Sequence, residues 1–135
     1  MDFPVETAKE LIAIATDVRE NAHAPYSGFR VGAALLTSDG SVVPGCNVEN
    51  SSYSLTCCAE RSAVFAAVTA GHTDFAAIAI VADGNAVPPC GACRQVLSEF
   101  NPSLPIILTD QHGNPRILTL TNLLPEPFSA DYMKE

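Results

Sequence analysis

Apolar and polar positions follow two periods along this chain, and the change from one to the other marks out its elements. From Val5 to about Asn21, Ala8, Leu11, Ile12, Ile14, Ala15 and Val18 recur at helical spacing with acids and Lys9 between them, which predicts an amphipathic helix. The stretch NAHAPYSGF reads as a loop. Two apolar runs, Val31 to Leu36 and Ser41 to Cys46, flank TSDG, whose Asp-Gly favours a tight turn, so they are expected to pair antiparallel. A helix is expected from Cys57 or Cys58 to Ala70, ended by Gly71 and so rich in small and apolar residues that most of its face should be buried.

Beyond it, FAAIAIVA has the continuous hydrophobicity of a central strand. Pro88 and Pro89 precede a helix from about Gly91 to Phe100, LPIILTD and RILTL read as strands joined through QHGN, and NLLPEPFSADYMKE as a short turn or helix and a tail. Strands alternating with helical segments predict an α/β protein, a three-layer α/β/α sandwich on a mixed five-stranded sheet.

Composition narrows the partners. At 135 residues the chain fits one domain, 1–135, able to bury roughly two thirds of the surface its unfolded form exposes. The net charge of -8 argues against nucleic acid, because such binders draw affinity from Lys and Arg on phosphates. MDFPVETAKELIAIATDVRE carries acids from residue 2 and lacks the basic start and apolar run of a signal peptide, and no run is long enough for a membrane span. A cytoplasmic protein with no membrane partner is expected. There Cys46, Cys57, Cys58, Cys90 and Cys93 stay reduced, so clustered thiols point to metal or catalysis before disulfides.

The chemistry concentrates where charge is scarce. Between Val43 and His72 the charged side chains are Glu49, Glu60 and Arg61 alone. In PCGAC, Cys90 and Cys93 stand at i and i+3 around a helix start, close enough on one face to grip one ion. Cys58 supplies a third thiol at another helix start, and both helix ends favour thiolates through unpaired N–H groups. Three thiolates leave a tetrahedral zinc one open position, as catalytic sites require. Glu60, two residues after Cys58 in apolar surroundings, costs free energy unless something such as a zinc-bound water uses it.

Taken in order, GFRVGAAL, GCNVENSSY, CAERSA and PCGACRQVL make the chain resemble the cytidine deaminases, in their small homotetrameric type with three cysteine ligands, from about Phe29 through Phe128. The resemblance implies one zinc per chain on Cys58, Cys90 and Cys93, with Glu60 as the proton shuttle. It implies that Asn47 and Glu49 hold ribose hydroxyls, that Phe29 packs on the pyrimidine, and that Ala59 also contacts substrate. Cytidine and deoxycytidine would become uridine and deoxyuridine with release of ammonia, a step of pyrimidine salvage. A homotetramer is implied too, with Ser51, Tyr53 and Phe128 reaching a neighbour's pocket.

Two positions depart from the family. Pro88 stands where relatives often carry a small hydroxyl residue whose carbonyl accepts from the leaving amine; proline keeps that carbonyl. Cys57 directly precedes the expected ligand, and the Cys-Ala-Glu spacing selects Cys58. Arg61 is the cation nearest in sequence to three thiolates whose zinc complex is net negative, and its planar fork suits donation to two cysteine sulfurs.

Rival classes use fewer of these residues. A thioredoxin-like redox dithiol needs Cys90 and Cys93 but neither Cys58 nor Glu60. A structural zinc module would recruit Cys57 or Cys46 as fourth ligand and leave Glu60 idle. Cys46 and Cys57 otherwise read as buried small hydrophobes, and His23, His72 and His112 as solvated loop residues. Within the deaminases the zinc core is shared by enzymes acting on bases, nucleotides and nucleoside antibiotics, so the nucleoside assignment rests on the Asn47 and Glu49 pair.

Overall fold

The computed structural model describes residues 3–84 and 86–134. The ends of the expected 1–135 domain and Asn85 lie outside the described residues. Helix α1, Val5–Arg19, leads into the hairpin of β1, Val31–Thr37, and β2, Val42–Cys46. A 3-10 turn at Tyr53–Leu55 precedes α2, Ala59–Thr69, and β3, Phe75–Ala82. Then come α3, Gly91–Phe100, β4, Pro105–Thr109, β5, Pro115–Thr119, the single turn α4, Leu120–Leu123, and a closing 3-10 turn, Ala130–Met133. No helix among the described residues is long and apolar enough to cross a membrane.

The five strands lie in the order β2-β1-β3-β4-β5. β3 is central and runs parallel to β4, while the remaining neighbours are antiparallel, so the sheet is mixed as expected. Successive side chains of a strand point to opposite faces. On β1 and β3 this sends Ala34, Ala77 and Ala79 toward α1 with its Ala8, Leu11 and Ala15. Leu35, Ile78 and Ile80 go the other way, into a core with Ala63 and Val64 of α2 and Leu97 of α3. Helices therefore cover both faces, giving the three layers.

Helix α2 differs from expectation. Its Glu60, Ala63, Val64 and Ala67 face inward, yet Phe65 and Val68 are exposed at 53 and 41%. Apolar composition concealed an amphipathic placement, because only one side of the helix meets the sheet of its own chain. The inner side sits very close: a Cβ built on Gly45 of β2 would stand 2.5 Å from the Ala63 nitrogen and 2.7 Å from the Ala59 oxygen. Glycine at that position lets the first turn of α2 settle against the sheet, which fixes where Cys58 and Glu60 project.

Candidate metal centre and nucleoside pocket

Cys58 is the N-cap residue of α2 and Cys90 that of α3, and both have extended backbone. Neither side chain caps its own helix. The thiols turn toward each other instead, with Cys58 Sγ 3.9 Å from Cys90 Sγ and Cys90 Sγ 3.5 Å from Cys93 Sγ one helical turn on. All three sulfurs lie within 4.8 Å of one another. A disulfide bond is only ~2.05 Å long. Sulfurs on a tetrahedral zinc, at ~2.3 Å from the metal, stand ~3.8 Å apart, so the spacing fits that ion. Neither Cys46 nor Cys57 belongs to this convergent group among the described residues, which removes the fourth thiol that a closed structural site would need.

The local backbone explains why adjacent cysteines part ways. Cys57 is held in an antiparallel bridge, its N–H donating to the Val48 carbonyl at 2.9 Å and its carbonyl accepting from Val48 N–H at 2.9 Å. Its thiol is half-buried and donates to the Cys58 carbonyl at 3.6 Å. One residue later the chain enters α2, and Cys58 turns its sulfur toward Cys90. Cys57 and Cys46 are both only half-buried, so the expected burial is corrected for each. Cys57 in fact borders the cavity beside the thiols, and Cys46 ends an edge strand with one uncovered side.

Charge around the sulfurs is organised. Hydrogen bonding from Cys93, and then Arg61, draw the Cys58 thiol well below its ordinary range against the opposing effect of burial. Cys93 shifts upward, through its bond to Cys58 first and its burial second. Arg61 Nη2 donates to Cys58 Sγ at 3.5 Å, and this contact with Cys93 beside it raises the guanidinium above its usual value. Arg61 Nε is buried without a hydrogen-bond partner among the described residues. The cation expected near the thiolates is present on the helix that carries one of them.

A cavity of about 210 Å³ opens beside the sulfurs, bordered by Phe29, Asn47, Cys57, Glu60 and Pro88 among others. Glu60 is 5% exposed, and burial raises its carboxyl above the ordinary carboxylate range, which keeps it poised for proton transfer closer to neutral pH. Ala59 is fully buried at the start of α2. Asn47 also lines the cavity, its Oδ1 accepting from Val31 N–H at 2.8 Å and its Nδ2 donating to the Phe29 carbonyl at 2.8 Å. Among the described residues, one amide hydrogen and one lone pair of Asn47 stay uncommitted. Glu49 lines an adjoining groove of about 400 Å³ with Tyr26, Ser27 and Tyr53, and Thr56 borders both spaces.

Several bordering residues are barely marked in the sequence. Val31 and Ile80 line the cavity as well as the core, at the start of β1 and toward the end of β3. Only the register pairing these strands antiparallel brings them to one end of the sheet. Thr56 was signalled weakly, by its position just before the two cysteines. Of the residues expected at subunit contacts, Ser51 is exposed, Tyr53 is 75% exposed and packs its edge on Tyr26 at 5.9 Å, and Phe128 is 63% exposed. Phe128 is clasped by Gln95 of α3, which donates to its carbonyl at 2.7 Å and accepts from its N–H at 3.2 Å.

Comparison with known proteins decides the family. The model for the cytidine and deoxycytidylate deaminase zinc-binding region matches residues 5–109, which contain all three converging cysteines and Glu60. This chain belongs to the cytidine deaminase family. It is 52% identical to the cytidine deaminase of Sporosarcina psychrophila over 91% of this chain and 92% of that one. Identity to the cytidine deaminase of Halalkalibacterium halodurans is 50%, over 93% of this chain and 96% of the relative. The crystal structure of cytidine deaminase from Burkholderia pseudomallei superposes with a TM-score of 0.83 at 51% identity, covering 88% of this chain and 97% of that one. The mixed sheet between helical layers is therefore the family's fold, and zinc is the metal that goes with its thiol set.

Proposed function

We propose that this chain catalyses the zinc-dependent hydrolytic deamination of cytidine and deoxycytidine to uridine and deoxyuridine, releasing ammonia. What carries the proposal is the convergence of Cys58, Cys90 and Cys93 within 4.8 Å beside a buried Glu60, in a chain of the cytidine deaminase family. Cys58, Cys90 and Cys93 hold the ion. When bound, zinc supplies Lewis acidity that makes a water nucleophilic near neutral pH.

Glu60 does the proton work. Its carboxylate takes a proton from the water and passes it to ring N3 as the water oxygen joins C4. It then takes the second proton and gives it to the exocyclic amine as the C4–N bond breaks. Ammonia leaves and the carbonyl of uridine remains. Phe29 packs on the pyrimidine, Ala59 lies at the ring, and the Pro88 carbonyl faces the amine. Asn47 offers its free amide hydrogen and lone pair to the ribose, and Glu49 accepts a sugar hydroxyl while its charge disfavours a phosphate. Arg61 offsets the negative charge of three thiolates around a divalent ion.

The exposed aromatics support a homotetramer in which Ser51, Tyr53 and Phe128 reach a neighbouring subunit's pocket. Residues 1–135 act as one domain in that assembly. Reduced metal-binding thiols support a cytoplasmic place in pyrimidine salvage. A redox dithiol is disfavoured because it gives no use to the third thiol or to Glu60.

The test is turnover by the zinc-loaded protein. Cytidine absorbance should fall with an equal yield of ammonia, and cytidine should be used faster than cytosine or cytidine monophosphate. Unchanged cytidine contradicts the activity. Faster use of the free base or the nucleotide contradicts the nucleoside assignment.

A further inference from the structure

Glu49 is more heavily engaged than a free substrate acceptor would be. Its Oε1 accepts from the N–H groups of Tyr26 at 3.0 Å and Ser27 at 3.1 Å, and its Oε2 accepts from the Ser27 hydroxyl. These contacts, the Ser27 hydroxyl foremost, hold its carboxylate below the ordinary range. The same hydroxyl accepts from Phe29 N–H at 3.0 Å. A serine hydroxyl has one donor and two acceptor sites, so it can serve both partners at once. Gly28 between them has φ +69°, a left-handed turn that glycine adopts freely, and this folds Phe29 N–H back onto the side chain two residues earlier.

The consequence reaches across the pocket. Phe29 borders the cavity with Glu60, whereas Glu49 lines the adjoining groove. Ser27 joins the two. We propose that Ser27 is a positioning residue for the nucleoside site: its hydroxyl ties the Glu49 carboxylate to the Phe29 backbone, so that the sugar-side acceptor and the base-side ring are set as one unit. This rests on the nucleoside deaminase reading above and adds a residue to it.

The tied groups lie on two irregular segments, Phe29 before β1 and Glu49 after β2, and the bonds that Ser27 makes to them are exposed, so water can replace the lost hydrogen bonds and folding should hardly depend on them. What disappears on removal is pre-organisation, since Glu49 regains rotamers and the loop regains freedom that the substrate must then restrict. Ground-state binding is affected more than the proton steps at Glu60.

Ser27→Ala and Ser27→Thr should be compared with the parent, all zinc-loaded. Ser27→Ala should raise the KM for cytidine about tenfold with kcat within threefold of the parent, and the amide of Phe29 should exchange its hydrogen faster. Ser27→Thr, which keeps the hydroxyl, should restore both. A parental KM in Ser27→Ala, a fall in kcat at unchanged KM, or equal impairment of the two variants overturns the role of Ser27 alone. A parent that leaves cytidine unchanged overturns the nucleoside reading and this proposal with it.

Discussion

Gly45 of β2 and Ala63 of α2 approach so closely that a methyl group on the glycine would stand 2.5 Å from the alanine nitrogen. Backbone, not a flexible side-chain end, occupies that space, so the helix has to move as a body if the gap is filled. The same helix carries Glu60 and begins at Cys58.

Gly45→Ala should therefore act at the site as well as on the fold. Overpacking of this kind costs ~1–3 kcal/mol. Denaturant unfolding should show that loss, and the variant should release zinc to a chelator faster than the parent. Parental stability and zinc retention would show that α2 is free to shift.

Much of this architecture was legible in the sequence, for identifiable reasons. The 3.6-residue spacing of Ala8, Leu11 and Ala15 and the Asp-Gly of the hairpin are local signals, and the structure has the helix and the turn there. Cys58, Cys90, Cys93 and Glu60 announced themselves because charge and thiols are conspicuous in an apolar stretch, and the structure brings them together. The tertiary approaches were silent. Nothing in a strand sequence says which glycine a helix will press against, and Ser27 looked like any loop hydroxyl until folding set Glu49 beside it. Phe65 and Val68 misled for the opposite reason, since their apolarity gave no hint that they lie on the side of α2 facing away from its own sheet.

The division of labour between neighbouring thiols can be checked directly. Cys58→Ala, Cys90→Ala and Cys93→Ala should each lose the bound zinc, because these three thiols are the donors that converge among the described residues. Cys57→Ala should retain it, as the Cys57 thiol is bonded to the Cys58 carbonyl and lies outside the sulfur cluster. Metal analysis of the purified variants decides the matter; equal zinc in the Cys57 and Cys58 variants contradicts the assignment.

Hairpin stability should depend on pH through Asp39. Its carboxylate accepts from the Thr37 hydroxyl at 2.5 Å and from Ser41 N–H at 3.0 Å, and these bonds lower its pKa from 3.8 to about 2. A depressed folded-state pKa means that the contribution is present above the unfolded value and lost as pH falls through the folded one. Asp39→Ala should thus melt a few degrees below the parent at pH 7, with the gap narrowing between about pH 4 and pH 2. A gap that is constant across that range would assign the effect to turn propensity alone.

The most direct test of the chemistry is Glu60→Gln, assayed for bound zinc and cytidine turnover in the same preparation. Glutamine keeps the shape of the side chain but cannot carry the proton, so zinc should remain near one per chain while turnover falls by ~100- to 10,000-fold or more. Parental turnover in the zinc-loaded variant would contradict the role given to Glu60.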